Sequence, residues 1–159
     1  MITRRPLLLP FALAAAVLLC FAVPGQADTS VGLHGGFSSG PDQFIIGPHL
    51  NLSPIADNLY IVPGAEVGFG DDVTTIAFNG DLQYRFEVHD SKVRPYAGGG
   101  VGLIWFDPDG PADSDTNLGV HILGGILFGE LNGQPMFVDV KAGLTDEVPD
   151  WKFQFGINF

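Results

Sequence analysis

Cysteine is almost absent from this sequence of 159 residues, since the single cysteine is Cys20. Cys20 lies within an apolar N-terminal segment, and the residue before it, Leu19, is not the small residue that a lipoprotein signal needs. The remainder of the chain has no thiol, which excludes disulfide bonds and cysteine ligands for metals there. The fold therefore has to form without covalent cross-links.

The N-terminal segment has the parts of a secretory signal peptide. Two arginines precede an apolar run over residues 7–23, and small residues occupy the two positions that signal peptidase reads, Gly25 and Ala27. Pro10 interrupts the apolar run, which is already short for a transmembrane helix. We predict a signal peptide over residues 1–27, followed by one domain over residues 28–159.

Basic side chains are the second deficit of the sequence. The predicted mature chain holds all 18 acidic residues but only 5 basic ones, which leaves it a net charge of −13. Binding to nucleic acid needs clustered Lys and Arg, so we predict no nucleic-acid partner. Cations are the natural counter-charge for such a chain. The five basic residues are Arg85, Lys92, Arg94, Lys141 and Lys152.

Helical spacing of apolar residues is also missing from residues 28–159. Apolar residues recur at every second position, and turn sequences rich in Gly, Pro, Asn and Asp separate the segments at fairly even intervals. The alternation is clearest where Ile76, Phe78 and Leu82 share one face and Asn79 and Asp81 share the other. This pattern predicts an all-β meander without helices. The predicted strands are 30–37, 43–52, 59–69, 73–86, 93–106, 117–129, 135–144 and 151–159.

The alternation alone does not say which face points inward. The apolar face lines the interior of a soluble lipocalin-like barrel but meets lipid in an outer-membrane barrel. The polar strand faces carry mainly Gly, Asn, Gln, Thr and His rather than the many charges of a soluble exterior, which favours the membrane barrel. Aromatic residues near strand ends favour it too, because they form girdles at membrane interfaces. If both termini are periplasmic, these are Phe37, Phe44, Phe69, Trp105 and Trp151 at the outer ends, and Tyr84, Phe86, Phe128 and Phe159 at the inner ends.

Acidic residues concentrate in the connections expected on the outer side. These connections carry ten Asp and Glu residues and no basic residue, an asymmetry with no evident origin in a free soluble domain. The stretch DPDGPADSD does not fit the EF-hand spacing of ligands. It remains a candidate rim that binds divalent cations, with Asp107, Asp109, Asp113 and Asp115 as its ligands.

The chain ends in WKFQFGINF, which has an apolar residue at every second position and a final Phe. This segment resembles the C-terminal signal of outer-membrane barrel proteins, which the barrel-assembly machinery reads in that family. With the eight-strand plan and the stretch RPYAGGGVGL, residues 28–159 resemble the small outer-membrane protein A and X type of β-barrel. The resemblance implies an eight-stranded antiparallel up-and-down transmembrane β-barrel with a polar filled interior. The residues of the predicted assembly signal are Trp151, Phe153, Phe155, Ile157 and Phe159.

The inward face of such a barrel is predicted to form an ion-paired plug. An eight-stranded barrel is just wide enough for its own side chains, and an isolated charge there is costly. We expect the acids to pair with the bases across the interior, with His34 and His49 nearby, and Gly98, Gly100 and Gly102 to leave room for larger side chains. The predicted interior ion cluster is Glu66, Asp81, Arg85, Arg94, His121, Asp139, Lys141 and Lys152.

The sequence predicts no catalytic site and no cofactor. Some small outer-membrane barrels are lipid A deacylases or acyltransferases that use Ser and His, and nucleophilic catalysis needs a base within hydrogen-bond reach of the serine. Ser38 shares a face with His34 but lies over ten ångströms from it, at roughly 3.3 Å per residue. The stretch GGGVG has Leu103 where a dinucleotide loop needs its third glycine, and no helix follows.

We therefore predict an integral outer-membrane barrel with a structural or surface-interaction role, such as membrane integrity or contact with lipopolysaccharide or another partner. The expected partners are outer-membrane lipid, lipopolysaccharide, the assembly machinery and divalent cations, after export from the cytoplasm. The short outer loops argue against an adhesin-like role. Two alternatives stay open: a narrow outer-membrane pore, and a secreted lipocalin-like barrel that binds an apolar ligand. The lipocalin-like barrel would surround its ligand with Ile76, Val120, Val138 and Phe155, whereas the membrane barrel exposes these side chains to lipid.

Overall fold

The computed structural model describes residues 29–70, 73–89, 91–108 and 115–159. The predicted signal peptide over residues 1–27 lies outside the described residues. The described residues form eight strands, and each strand end lies within two residues of its predicted position. The strands are β1 (Ser30–Ser39), β2 (Gln43–Asn51), β3 (Leu59–Phe69), β4 (Val73–Arg85), β5 (Arg94–Pro108), β6 (Asp115–Leu131), β7 (Gln134–Gly143) and β8 (Trp151–Asn158).

Every strand pairs with its neighbours in sequence to form a closed barrel. β8 pairs antiparallel with β7 and also with β1, in a register that runs from Gly32 opposite Asn158 to Ser39 opposite Trp151. No helix among the described residues is long and apolar enough to cross a membrane. The predicted all-β, antiparallel up-and-down topology is confirmed.

The connections are short at both ends of the barrel. We call the end that carries the β2–β3, β4–β5 and β6–β7 connections the inner end, and the opposite end the outer end. At the inner end Asn132 and Gly133 join β6 to β7, with φ values of 55° and 84°. Two consecutive positive φ angles are typical of the tight type I′ hairpin turn, for which Asn-Gly is the preferred sequence.

The apolar face of the strands points outward. Val101 and Val120, paired at the middle of β5 and β6, are 52% and 42% exposed, whereas Asp81 and Lys141 are 4% and 8% exposed. This orientation excludes the lipocalin-like alternative, which required an apolar interior. The exposed apolar side chains include Val31, Leu33, Phe37, Phe44, Ile46, Phe69, Leu82, Tyr84, Leu103, Leu118, Ile122, Val140, Trp151, Phe153 and Phe155.

The four side chains predicted to face lipid are exposed to different degrees. Val120 and Phe155 are exposed, and Val138 is half-buried. Ile76 is buried, although the alternation of β4 puts it on the outward face. Its register partners on that face are Val67 and Trp105.

Aromatic residues form a continuous row across the seam where the barrel closes. Phe153 lies opposite Phe37, Phe37 opposite Phe44, and Phe44 opposite Phe69, so the row crosses β8, β1, β2 and β3. The rings of Phe37 and Phe44 meet edge to face with centroids 5.7 Å apart. At the inner end, Tyr84 and Phe86 make a similar contact at 5.1 Å.

An apolar side chain from the β7–β8 connection closes the outer end of the interior. Val148 is buried and packs with Ala77 of β4 and Ile104 of β5, and Phe106 packs against these three. Gly119 provides the space for it, since a Cβ atom at this position would lie 2.5 Å from Val148 Cγ1. The connection over residues 144–150 therefore folds into the barrel mouth.

Candidate functional site: the polar interior

Polar side chains fill much of the interior because many of the alternate, inward strand positions are occupied by polar residues or glycine, although Ile45, Ile104 and Phe137 also point inward. The carboxylates of the interior come from β3, β4 and β7, and its lysines come from β7 and β8. These groups form three connected clusters, which follow one another from the outer end to the inner end.

The outer cluster is centred on the carboxylate of Glu66. Lys152 forms an ion pair with Glu66 Oε1, and Gln154 Nε2 donates a hydrogen bond of 3.1 Å to Glu66 Oε2. His34 Nε2 lies 3.4 Å from Glu66 Oε2. The two buried charges are therefore compensated within the cluster, as a low-dielectric interior requires.

The middle cluster is centred on the carboxylate of Asp81. Lys141 Nζ donates a hydrogen bond of 2.5 Å to Asp81 Oδ2, and His121 Nε2 lies 2.7 Å from Asp81 Oδ1. The second carboxylate of this region, Asp139, accepts a hydrogen bond of 2.9 Å from the hydroxyl of Tyr96. All five side chains are buried.

The inner cluster contains amides, imidazoles and one guanidinium group. Asn158 Oδ1 accepts a 2.8 Å hydrogen bond from Asn51 Nδ2 and lies 2.8 Å from His49 Nε2. Arg85 Nη2 donates to Asn51 Oδ1 at 2.5 Å. The Nδ1 atoms of His34 and His49 are 3.2 Å apart, so His34 links this cluster to Glu66 of the outer cluster.

Glycines make the interior contacts possible. Gly100 lies in register between Asp81 and His121, and a Cβ atom on it would lie 2.5 Å from Asp81 Oδ1 and 2.8 Å from His121 Nε2. A side chain on one strand thus bonds to a side chain two strands away, across the glycine between them. The same arrangement holds for Tyr96, Gly125 and Asp139, and for His49, Gly32 and Asn158.

Little free space remains between the clusters. A cavity of about 30 Å³ lies among His34, His49, Asp81, Tyr96, Asp139 and Lys141. This volume accommodates about one water molecule. A wider vestibule of about 770 Å³ opens at the inner end, where Arg85, Arg94 and Glu130 line it. The interior is thus filled in its middle and open at the inner mouth.

Seven of the eight residues of the predicted ion cluster lie in the outer, middle and inner clusters. Arg94 differs: it is the first residue of β5, and its side chain is exposed at the inner mouth rather than in the interior. The expected room beside glycines exists, but Gly100 accommodates side chains of the two adjacent strands, and Gly98 accommodates the backbone of Leu82.

Several interior residues were not predicted from the sequence. Tyr96, Asn51 and Asn158 each make buried hydrogen bonds, and all three occupy inward positions of period-two strands. None of the three carries a charge, whereas the predicted cluster contained only ionisable side chains. Tyr96 and Asn158 are each in register with an inward glycine, Gly125 and Gly32, which is the signal that would find them, whereas Asn51 lies opposite Ser30.

The predicted divalent-cation rim lies mostly outside the described residues. Asp109 and Asp113 are outside them, as is the side chain of Asp107, while Asp115 is exposed at the start of β6. Within the described part of the chain, no three His, Cys, Asp or Glu side chains are grouped to hold a metal ion. The serine and histidine considered for nucleophilic catalysis have separate partners. Ser38 donates a hydrogen bond of 3.0 Å to the carbonyl of Pro41, whereas His34 contacts His49 and Glu66.

No protein-family model matches the chain. No curated protein matches it either. Its fold is nevertheless similar to solved structures of small outer-membrane barrels, at sequence identities that carry information on the fold alone.

The N-terminal β-barrel domain of Pseudomonas aeruginosa OprF superposes with a TM-score of 0.68 at 13% identity, over 82% of this chain and 95% of that one. Neisserial surface protein A gives 0.62 at 14% identity, over 82% and 94%. The attachment invasion locus protein Ail of Yersinia pestis gives 0.53 at 13% identity, over 82% and 94%. The predicted resemblance to small eight-stranded outer-membrane barrels is confirmed for the fold.

Proposed function

We propose that this chain is an integral β-barrel of an outer membrane, reached after signal-peptide export, with a structural or surface-interaction role and no catalytic activity. The single observation that carries the proposal is the outward apolar face of a closed barrel that buries Glu66, Asp81, Asp139, Lys141 and Lys152 inside. Closure gives the backbone N–H and C=O groups of every strand a hydrogen-bond partner. The apolar exterior avoids the free-energy cost of placing polar or charged side chains in lipid.

The filled interior supports a structural role over a pore. Water or ions would have to pass Asp81, Lys141 and Glu66, whose hydrogen bonds occupy the cross-section, and the cavity between the clusters holds about one water molecule. At the outer end the apolar side chain of Val148 blocks the same route. A path for conduction would therefore require several buried contacts to break together.

The surface-interaction part of the proposal involves the outer rim. The acidic outer connections, with Asp107, Asp109, Asp113 and Asp115, would share bridging divalent cations with the phosphates of lipopolysaccharide. The interaction would be electrostatic and dependent on divalent cations, because both surfaces are negatively charged.

Membrane fractionation combined with heat modifiability on a gel tests the proposal. We expect the full-length protein in the outer-membrane fraction, as a compact form that shifts in mobility on boiling. Recovery as a soluble periplasmic protein that is indifferent to boiling would contradict it.

The same experiment tests the predicted assembly signal. Deletion of Phe159 should abolish the heat-modifiable form in cells, because the assembly machinery would no longer recognise the last strand. Phe69→Ala is the matched control, since it removes an exposed aromatic side chain from the end of β3, outside the predicted signal. Equal loss of assembly in both variants would argue against a specific role of the terminal residue.

A further inference from the structure

The five basic residues of the barrel separate into two groups. Lys141 and Lys152 are buried, and each is paired with a carboxylate, Asp81 and Glu66 respectively. The other three, Arg85, Lys92 and Arg94, all line the vestibule at the inner end. The basic side chains that are not paired in the interior therefore all lie at the inner mouth of the barrel.

The vestibule combines these cations with hydroxyl groups and an apolar wall. Its volume is about 770 Å³, and Ser30 and Ser91 also line it. Glu130 is the one acidic side chain among the described residues that line it, so cations remain in excess even when the main-chain carboxylate of Phe159 is counted. The apolar part of the wall includes Leu127 and Pro135.

Arg85 lies at the floor of the vestibule with neutral partners. Its Nη2 atom donates to Asn51 Oδ1 at 2.5 Å and to Gln83 Oε1 at 3.3 Å, and its guanidinium group lies 4.0 Å from the centre of the Tyr60 ring. Its Nε atom is buried and has no hydrogen-bond partner among the described residues. The charge of a half-buried arginine is thus left without a carboxylate in the described part of the chain.

We propose that this vestibule is a binding site for a phosphate group. A guanidinium group presents its N–H donors in a fork that matches phosphate oxygens, and Arg85 and Arg94 supply two such groups around one opening. The hydroxyls of Ser30 and Ser91 add neutral donors, and Leu127 and Pro135 accommodate an apolar substituent on the phosphate.

Two sources would supply this chemistry at the inner end of the barrel. One is the head group of an anionic phospholipid in the inner leaflet, and this source rests on the membrane location proposed above. The other is a free phosphorylated molecule, which would enter the vestibule from the aqueous side whether or not that location holds. The apolar wall beside the cations is complementary to either kind of phosphate ester.

Inorganic phosphate is the first probe, used on the purified protein in dodecyl maltoside, a detergent without phosphate. The readout is the midpoint of thermal unfolding during titration with phosphate, against chloride at equal ionic strength. We expect phosphate to raise the midpoint beyond chloride, because a ligand of the folded state stabilises it. Arg94→Gln should weaken the apparent affinity about tenfold, the loss expected for one charge-assisted hydrogen bond.

Two further variants locate the site. Arg85→Gln keeps hydrogen-bonding capacity and should also weaken binding, while Glu130→Gln is the matched control of opposite sign and should strengthen it. Equal effects of phosphate and chloride, or phosphate binding that survives both arginine substitutions, would overturn the proposal. Heat modifiability of each variant is measured first, so failure of the site is distinguished from failure of the barrel to assemble.

Nanodiscs distinguish the two sources of phosphate. The protein is placed in phosphatidylcholine discs with and without phosphatidylglycerol, and lipid that stays bound after transfer to detergent is counted by native mass spectrometry. Retained phosphatidylglycerol that is lost in Arg94→Gln identifies the lipid head group, and binding of inorganic phosphate alone identifies a free phosphate. Absence of both kinds of binding overturns the site.

Discussion

Inward glycines decide which interior side chains meet. Asp139 reaches the hydroxyl of Tyr96 only because Gly125, which lies in register between them, has no side chain. Strand neighbours in a barrel lie side by side, so any Cβ atom at this position would occupy the line between the two groups. The interior network therefore depends on residues that make no polar contact themselves.

We predict that Gly125→Ala destabilises the barrel. The added Cβ atom would lie 2.5 Å from the carbonyl oxygen of Val138 and 2.6 Å from both Tyr96 Cζ and Asp139 Cβ, so strands or side chains have to shift. Overpacking of this kind costs about 1–3 kcal/mol, plus about 1 kcal/mol for the hydrogen bond to Asp139. The measurement is the free energy of unfolding in urea, followed by tryptophan fluorescence in detergent micelles.

Gly124→Ala is the control for that substitution. Gly124 precedes Gly125 on the same strand but is exposed on the outward face, and the nearest atom to an added Cβ would be the carbonyl oxygen of Tyr96 at 3.9 Å. We expect a change below about 0.5 kcal/mol for it, as for substitutions away from packed features. Similar losses in both variants would mean that glycine acts through the backbone of β6 and not through the space it leaves inside.

The β7–β8 connection contributes to the core of the barrel. Its residues 145–147 are exposed, but Val148 and Pro149 are buried, so the chain turns inward before β8 begins. The backbone N–H of Val148 donates to the carbonyl of Thr145, and that of Gly143 donates to the carbonyl of Asp150. This connection acts as an outer lid, held by the buried side chains of Val148 and Pro149 together with these hydrogen bonds.

We predict that Val148→Ser loosens this lid. Burial of a valine side chain contributes about 1.5 kcal/mol, so its loss raises the population of the open connection about tenfold. Cleavage by a glutamate-specific protease after Glu147, which is exposed beside Val148, should accelerate correspondingly, because proteolysis follows the open population. The released C-terminal fragment is measured by mass spectrometry.

Val140→Ser is the matched control for the lid. Val140 lies on β7 with its side chain exposed on the outward face, so the same substitution leaves the contacts of Val148 unchanged. We expect its cleavage rate after Glu147 to equal that of the unmodified protein. A rate for Val148→Ser that also stays unchanged would show that Pro149 and the hydrogen bonds keep the connection closed.

The strands of the barrel and their outward and inward faces could be predicted from the sequence, but the contacts between interior side chains could not. Alternation places Val120 outside and His121 inside from local information, because a strand turns successive side chains to opposite faces. Which groups meet depends on the stagger between strands, and this is a property of the closed sheet. Glu66 and Lys152 are 86 residues apart and on strands that do not pair with each other, so their contact could not be predicted from spacing.

The same reasoning explains why the position of Arg94 was predicted incorrectly. The alternation placed Arg94 on the inward face of β5. Its side chain is exposed because Arg94 is the first residue of β5, at the inner mouth of the barrel. Val148 was missed for the opposite reason: it lies in a connection, where period two does not apply. Alternation thus predicts whether a side chain on a strand points inward or outward, but not how far along the barrel axis the residue lies.

The apolar exterior of the barrel makes the cost of an added charge depend on its depth in the bilayer. A lysine on the lipid-facing surface costs about 2–4 kcal/mol at the middle of the bilayer but only about 0–1 kcal/mol near its interfaces. Val120 lies near the middle of β6 and pairs with Val101, whereas Leu131 is exposed at the inner end of the same strand. We expect Val120→Lys to lower the free energy of unfolding in lipid vesicles by the larger amount, and Leu131→Lys by the smaller one. Because a barrel surrounded by water would gain solubility from both lysines and lose little stability from either, equal and small effects would contradict the membrane-spanning orientation.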